Sequence, residues 1–149
     1  MQAISSYSST SYPNDRYHSS CIVKADGKTP LVAIADLADS GDIEAWKKSL
    51  AANGDLGSAS DRKEFPAGDK GKGISSSRTA AIYLKCTPAG SKLTIPLNLS
   101  ITVSGISKAP STRADIAQVA LAFARYAQNS AHCTSPAALP AAPPSQLQG

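Results

Sequence analysis

Hydrophobic and polar residues alternate most regularly over two segments, residues 79–86 and 92–104. Ile82, Leu84 and Cys86 fall on every second position of the first segment, and six aliphatic residues do so in the second. A period of two predicts β-strands that bury one face and leave the other in water. On the second strand the even-numbered side chains are therefore expected in solvent, namely Thr94, Asn98, Ser100 and Thr102.

Two other stretches have the periodicity of an α-helix. In the first, Ile43, Trp46 and Leu50 share one face, and the flanking residues suit helix ends. In the second, Thr112 and Asp115 have the spacing of a capping box, with Asp in place of the usual Glu, and an apolar stripe follows. The stripe residues are Ile116, Val119, Ala120, Phe123 and Ala127.

The regions before and between these elements are less regular. Asp26-Gly27 is a type I′ turn signal between two β-prone runs, which predicts a hairpin over residues 21–37. Residues 54–78 are rich in glycine, serine and charge, so they are expected to be disordered or to contain a short strand. Within them, residues 68–73 lack the glycine and lysine spacing of a phosphate-binding loop.

Together these patterns predict one α+β domain over residues 21–133. It consists of two β-hairpin–helix units, with both helices packed on one face of an antiparallel sheet. Residues 1–20, rich in serine and tyrosine, are expected to form a flexible arm. Residues 134–149, with four prolines and no charged residue, are expected to form a disordered Pro/Ala-rich tail.

Composition narrows the function only slightly. The 149 residues carry a formal charge of +4, which permits weak attraction to polyanions without defining a site. The candidate polyanion contacts are Lys63, Lys70, Lys72 and Arg78. Because Asp61, Glu64 and Asp69 are interleaved with them, the segment is better explained as a solvated loop, and nucleic acid is not the expected partner.

The chain has three cysteines and no Cys-x-x-Cys pair, so the spacing does not suggest a zinc or thioredoxin-like site. Cys86 and Cys133 end two elements that should pack together. This placement predicts a disulfide between them and an oxidising compartment. For Cys21 three interpretations stay open: a buried free thiol, a partner outside this chain, or pairing with Cys86 in place of Cys133.

No catalytic or cofactor-binding constellation is recognisable. His132 adjoins Cys133 near a helix end, where neighbouring side chains diverge, and His18 lies in the predicted arm. A calcium loop is not indicated, because the acidic patch lacks the required spacing and suits a helix N-terminus. That patch comprises Asp36, Asp39, Asp42 and Glu44. We therefore expect no enzyme and no bound metal or cofactor.

Several segments occur in a defined order: a cysteine-led strand, a glycine-rich segment, a strand ending in cysteine, an alternating strand and an alanine-rich helix followed by cysteine. The residues concerned are 21–23, 68–73, 80–86, 93–103, Arg113, 123–126 and Cys133. In this order the chain resembles a group of actinobacterial membrane-anchored or secreted proteins of unknown function. It differs in lacking their N-terminal membrane segment and an earlier cysteine. The resemblance implies a cell-envelope location and no particular activity.

These observations predict a non-enzymatic extracytoplasmic module, binding or structural, of unknown ligand and stabilised by a disulfide. Its candidate partner is another envelope protein. The alternative is a polyanion- or partner-binding protein that uses the lysine-rich 61–78 segment. No apolar run is long enough to span a bilayer, and no signal peptide is recognisable. These two absences leave two alternatives, a cytosolic protein or a soluble piece whose export or anchor segment has been removed, and the placement of the cysteines favours the second, an extracytoplasmic or secreted protein.

Overall fold

The computed structural model describes most of the chain, namely residues 4–12, 16–24, 30–39, 43–52, 60–69, 71–89, 97–105, 113–134 and 136–147. Within these residues there are seven β-strands and two α-helices. In chain order they are β1 (Ile4–Tyr12), β2 (Arg16–Lys24), β3 (Pro30–Asp39), α1 (Ile43–Ala52), β4 (Lys63–Ala67), β5 (Gly71–Ser75), β6 (Thr79–Lys85), β7 (Leu97–Gly105) and α2 (Arg113–Ser130). A short 3₁₀ helix, Ser145–Leu147, follows near the end of the chain.

The seven strands form one antiparallel sheet with the order β1-β2-β3-β7-β6-β5-β4. It consists of two meanders, β1-β2-β3 before α1 and β4-β5-β6-β7 between the helices. They are joined by the pairing of β3 with β7, in which Leu31 lies opposite Gly105 and Asp39 opposite Leu97. The predicted α+β class is confirmed. Each predicted hairpin is larger, with three strands before α1 and four before α2.

Two regions without hydrophobic periodicity contain strands. β1 and the first residues of β2 lie within residues 1–20, so the structure differs from the predicted flexible arm, and the expected boundary at residue 21 falls inside β2. Residues 54–78 contain β4 and β5. Strand pairing uses backbone hydrogen bonds, which serine, tyrosine and glycine supply without any apolar pattern. The hairpin predicted over residues 21–37 is present as β2–β3, and its turn lies outside the described residues.

The main core lies between α2 and one face of the sheet. Ile82 pairs with Ile101 and Leu84 with Leu99, and all four side chains are fully buried. α2 packs on them through the stripe that the sequence predicts, whose members Ile116, Val119, Ala120, Phe123 and Ala127 are all buried. Alternating positions of β6 and β7 therefore build this core, as their period of two indicates.

A second, smaller core lies on the opposite face of the sheet, under α1. Trp46 and Leu50 pack there against Ile74, Ala81 and Tyr83. The ring centroids of Trp46 and Tyr83 are 5.3 Å apart. Because successive residues of a strand point to opposite faces, Ala81 and Tyr83 face α1 while their neighbours in β6 face α2. As a result β6 is buried on both sides.

This arrangement corrects two predictions about the faces of the sheet. The helices lie on opposite faces rather than on one. The even-numbered side of β7 is also not simply in solvent, because Asn98 is buried and Ser100 accepts a 2.9 Å hydrogen bond from Trp46 Nε1. Thr102 is half-buried, and Thr94 lies outside the described residues. An alternating pattern shows which side chains are polar, but not whether a helix covers them.

The end of the chain packs on the domain, in contrast to the predicted disordered tail. Leu147 is 1% exposed and belongs to the main core, and its 3₁₀ helix contacts β4. Ala137 and Leu139 are partly buried against the same core. Gly68, just after β4, leaves room for this segment, since a Cβ there would lie 3.0 Å from the Cβ of Ala137. Burial of uncharged apolar side chains explains the attachment.

Trp46 is the only tryptophan in the chain and the centre of the second core. We expect Trp46→Ala to lower the free energy of unfolding by about 3–5 kcal/mol, because the buried indole would leave a cavity. The measurement is chemical denaturation followed by circular dichroism. Lys48→Ala, on the exposed side of α1, is the control and should change stability by less than about 0.5 kcal/mol. Similar values for the two variants would contradict the docking of α1.

Candidate functional site

The predicted polyanion contacts are not gathered into one patch. Lys63 and Lys72 project from opposite faces of the sheet, because Lys63 is in phase with the main core and Lys72 with the second core. The Lys72 ammonium lies 3.1 Å from Glu64 Oε1, and Arg78 is exposed in the turn after β5. Lys70 lies outside the described residues. The described members of this set therefore do not converge on a common ligand.

The most unusual surface is the part of the second face that α1 leaves uncovered, over β2, β3 and the adjoining side of β7. Ile22 and Ile34 are 39% and 37% exposed, and no other large hydrophobic residue is exposed among the side chains that the structure describes. Ile34 lies between Ser20 and Thr102 on the neighbouring strands, and Ile22 lies opposite Val32. We call this surface the open face and define it by these five residues.

A hydrogen bond between side chains of neighbouring strands lies at one end of the open face. His18 on β2 is opposite Asp36 on β3, with 2.5 Å between His18 Nδ1 and Asp36 Oδ1. Both side chains are substantially exposed, so the pair adds little stability and supplies a polar rim. Two members of the predicted acidic patch therefore have different partners. Asp36 pairs with His18 on the sheet, whereas Glu44 pairs with Lys47 along α1 at 3.1 Å. Asp42 lies outside the described residues.

The cysteines are used structurally. Cys86 and Cys133 are joined by a disulfide with their Cα atoms 5.0 Å apart, as the sequence predicts. Cys21 is free and buried in the main core, which is the first of the three interpretations given for it. Desolvation by burial raises the pKa of the Cys21 thiol above its ordinary value. A reactive cysteine needs a lowered pKa and access to solvent, and Cys21 has neither.

His132 has an unusual backbone conformation at the end of α2. Its φ of 56° is in the left-handed region that favours glycine. The His132 N–H donates to the Asn129 carbonyl at 3.2 Å, and the Cys133 N–H donates to the Gln128 carbonyl at 3.1 Å. These two bonds define a Schellman C-cap, in which His132 takes the position usually held by glycine. His132 is therefore a helix-capping residue, and its side chain is exposed.

A cleft of ≈ 370 Å³ lies beside this turn, and its lining includes Arg125, Gln128 and His132. Gln128 is buried and makes two hydrogen bonds to the backbone of Ala137, while Arg125 donates to the carbonyl of Pro140. The cleft therefore adjoins the start of the C-terminal segment, because Pro136 is part of its lining. Sequence reasoning missed it because a segment rich in proline and alanine has no periodic signal.

A polar cluster connects the turn before β4, the β5–β6 turn and the start of α2. Asp61 Oδ2 accepts hydrogen bonds from the Ser77 N–H at 2.9 Å and the Ser77 hydroxyl at 2.7 Å. Asp61 Oδ1 lies 2.9 Å from Arg113 Nη1. The bonds from Ser77, and then the Arg113 guanidinium, hold the pKa of the Asp61 carboxyl below its ordinary value. Since both carboxylate oxygens are engaged, we assign this cluster to stability rather than chemistry.

Searches for other kinds of site and for relatives give no further indication of activity. Among the described residues, no group of three or more His, Cys, Asp or Glu side chains could hold a metal ion. No helix of the described chain is long and apolar enough to cross a membrane. Comparison with protein-family models, curated proteins and solved structures found no match. The structure defines an α+β protein, and a fold of this class does not by itself indicate a function.

We expect Asp61→Asn to lower the free energy of unfolding by about 1–2 kcal/mol at neutral pH, because charge-assisted hydrogen bonds are lost. The folded-state pKa is lowered from 3.8, so the native state binds fewer protons than the unfolded state between the two values. The stabilisation is thus present above pH 3.8 and is lost as the pH falls through the folded-state pKa.

Denaturation curves at several pH values between about pH 6 and pH 2 measure this effect. The difference between wild type and Asp61→Asn should shrink towards the acidic end. The matched control is Asp69→Asn, an exposed carboxylate in the turn after β4, which should show a much smaller difference. A difference for Asp61→Asn that did not vary with pH would be inconsistent with the hydrogen-bonding arrangement.

Proposed function

We propose that the protein is a non-enzymatic module that works outside the cytoplasm, in the cell envelope, as a binding or structural unit. The observation that carries this proposal is the disulfide between Cys86 and Cys133. Disulfides form and persist in oxidising compartments and are rare in the cytosol. The resemblance of the cysteine pattern to that of membrane-anchored or secreted proteins agrees with this location.

The disulfide joins the end of α2 to the segment after β6. Two backbone hydrogen bonds accompany it, from the Ala89 N–H to the His132 carbonyl at 2.8 Å and from the Thr134 N–H to the Thr87 carbonyl at 2.9 Å. The bonded cysteines are separated by 47 positions in sequence, which corresponds to about 4 kcal/mol in the chain-entropy model. Because a domain has a net stability of roughly 5–15 kcal/mol, this fold depends strongly on oxidation.

A non-enzymatic role is supported by how the candidate catalytic groups are used. Cys86 and Cys133 are bonded to each other, Cys21 is buried, His18 pairs with Asp36, and His132 caps α2. Nucleophilic catalysis requires a nucleophile and a base within hydrogen-bond reach of each other. In the described structure these groups instead have separate structural roles.

The open face is the surface that we assign to binding. Sites for small molecules are concave, whereas the open face is a sheet surface, so it suits a macromolecular partner. Ile22 and Ile34 supply exposed apolar area, and Ser20 and Thr102 lie beside Ile34 as polar neighbours. An apolar centre with a polar rim is typical of protein interfaces. Another envelope protein is the partner that this location suggests.

Counting thiols tests the proposed compartment. In native, unreduced protein purified from its own host, we expect none of the three cysteines to react readily with iodoacetamide, because Cys21 is 3% exposed and the others are bonded. After denaturation without reduction Cys21 alone should react, and after reduction all three. Intact mass and peptide mapping give these counts. Three reactive thiols after denaturation without reduction would contradict the extracytoplasmic proposal.

If the open face serves binding, its isoleucines should contribute little to folding. We expect Ile22→Thr and Ile34→Thr each to change the free energy of unfolding by less than about 0.5 kcal/mol. The matched control is Ile82→Thr, which should cost about 2–4 kcal/mol because it leaves a cavity and buries a hydroxyl. Chemical denaturation measures all three variants. Equal losses at Ile34 and Ile82 would show that the face is covered.

The same surface can be tested for binding in the host. A photo-crosslinking residue at position 34 should capture a discrete envelope protein, and Ile22→Asp in the same chain should remove that product. The control places the crosslinker at position 118, on the exposed side of α2. Capture at position 118 alone would exclude the open face as the binding surface.

A further inference from the structure

The C-terminal segment, residues 136–147, lies in a groove formed by α2 on one side and by β4 and the turn after it on the other. At one end Gln128 Nε2 donates to the Ala137 carbonyl at 3.2 Å, and the Ala137 N–H donates to Gln128 Oε1 at 2.6 Å. Gln128 is only 4% exposed, so this pair of bonds forms away from bulk water. One side chain thus binds both the backbone N–H and the backbone carbonyl of one residue, as the opposite residue of a neighbouring antiparallel strand would.

Further contacts follow along the same segment. Arg125 on α2 donates to the Pro140 carbonyl. Gly68, with a φ of 75°, brings the turn after β4 close to Ala137 on the other side. At the far end Leu147 is 1% exposed and packs into the main core beside β4. The groove therefore combines backbone-binding groups at one end with an apolar anchor site at the other.

These contacts define the chemistry of a matching ligand. Gln128 and Arg125 bind the backbone of the segment, so they place few demands on its side chains. The segment from residue 134 to 149 has four prolines and no charge, and prolines reduce the entropy that an extended peptide loses on binding. Peptide-recognition sites often combine main-chain hydrogen bonds with a pocket for one side chain.

We propose that this groove is a peptide-binding site and that the chain's own C-terminal segment fills it in cis. Its ligand in trans is an extended, uncharged, proline- and alanine-rich segment of a partner protein with a leucine-like anchor. Within the described residues the C-terminal segment pairs with no strand of the sheet, so a competitor has to replace side chain–backbone bonds and the apolar contacts of Ala137, Leu139 and Leu147. The proposal is independent of the open face and of the compartment.

The test uses the full-length chain with its groove opened by Leu147→Asp, and a fluorescent peptide with the sequence of residues 134–149. We expect saturable binding by fluorescence anisotropy. Wild type should bind the peptide at least about tenfold more weakly, because its own segment competes at a high effective concentration. Ala137→Pro opens the groove in a second way, since proline lacks the N–H that Gln128 accepts.

Matched variants locate the binding. In the opened chain, Gln128→Ala should weaken binding roughly tenfold through the loss of two hydrogen bonds, and Gln118→Ala on the exposed side of α2 should leave it unchanged. A second peptide should also bind if it is uncharged, is rich in proline and alanine, and keeps a leucine at the position that corresponds to Leu147. A peptide with aspartate in place of that leucine should not.

Three results would overturn the proposal. The first is no peptide binding to either opened chain while both keep native circular dichroism. The second is binding that does not respond to Gln128→Ala, since the peptide would then lie elsewhere. The third is a concentration-dependent dimer of the wild type that Leu147→Asp abolishes, because the occupant in trans would then be a second copy of this chain.

Discussion

The register between β6 and β7 is the constraint on which the rest of the structure depends. Ile82 lies opposite Ile101, and Tyr83 lies opposite Ser100. Since side chains alternate between the faces of a sheet, this one register directs the first pair towards α2 and the second pair towards α1. A slip of β6 by one residue would place Ile82 under α1 and Tyr83 within the main core. Both cores are therefore fixed together.

The length of α1 explains why the face of the sheet on which it packs is only partly covered. α1 has 10 residues, so it is about 15 Å long, whereas seven strands spaced about 4.8 Å apart span nearly 30 Å. α1 can cover only part of its face, and it covers the part where Ala81 and Tyr83 lie. The open face, with Ile22 and Ile34, is what remains. The candidate binding surface thus follows from the length of one helix.

Sequence alone predicted the elements whose apolar residues recur with a clear period. β6, β7, the stripe of α2 and the Cys86–Cys133 bond belong to this group. β5 could be predicted only as an unplaced short strand, one of two alternatives for residues 54–78, because its glycines give no apolar signal, although the ring of Phe65 lies where a Cβ of Gly73 would be. The face of the sheet that α1 covers could not be predicted either. The apolar stripe that includes Trp46 indicates that the helix packs against the protein, but it does not identify the surface on which it packs. For the same reason Ile22 and Ile34 could not be distinguished from core residues.

The pairing of β3 with β7 also has a consequence for the order in which the chain is made. Residues 40–96 lie between these strands, so at roughly 5–20 residues per second several seconds of translation separate them. During that time the nascent β1-β2-β3 meander has an unpaired edge, and the side chains of Leu31 and Leu37 have no α2 to pack against. Unpaired edges readily associate with other chains. During biosynthesis the β1-β2-β3 meander must therefore be kept from associating with other chains until the chain has been synthesised as far as Cys133.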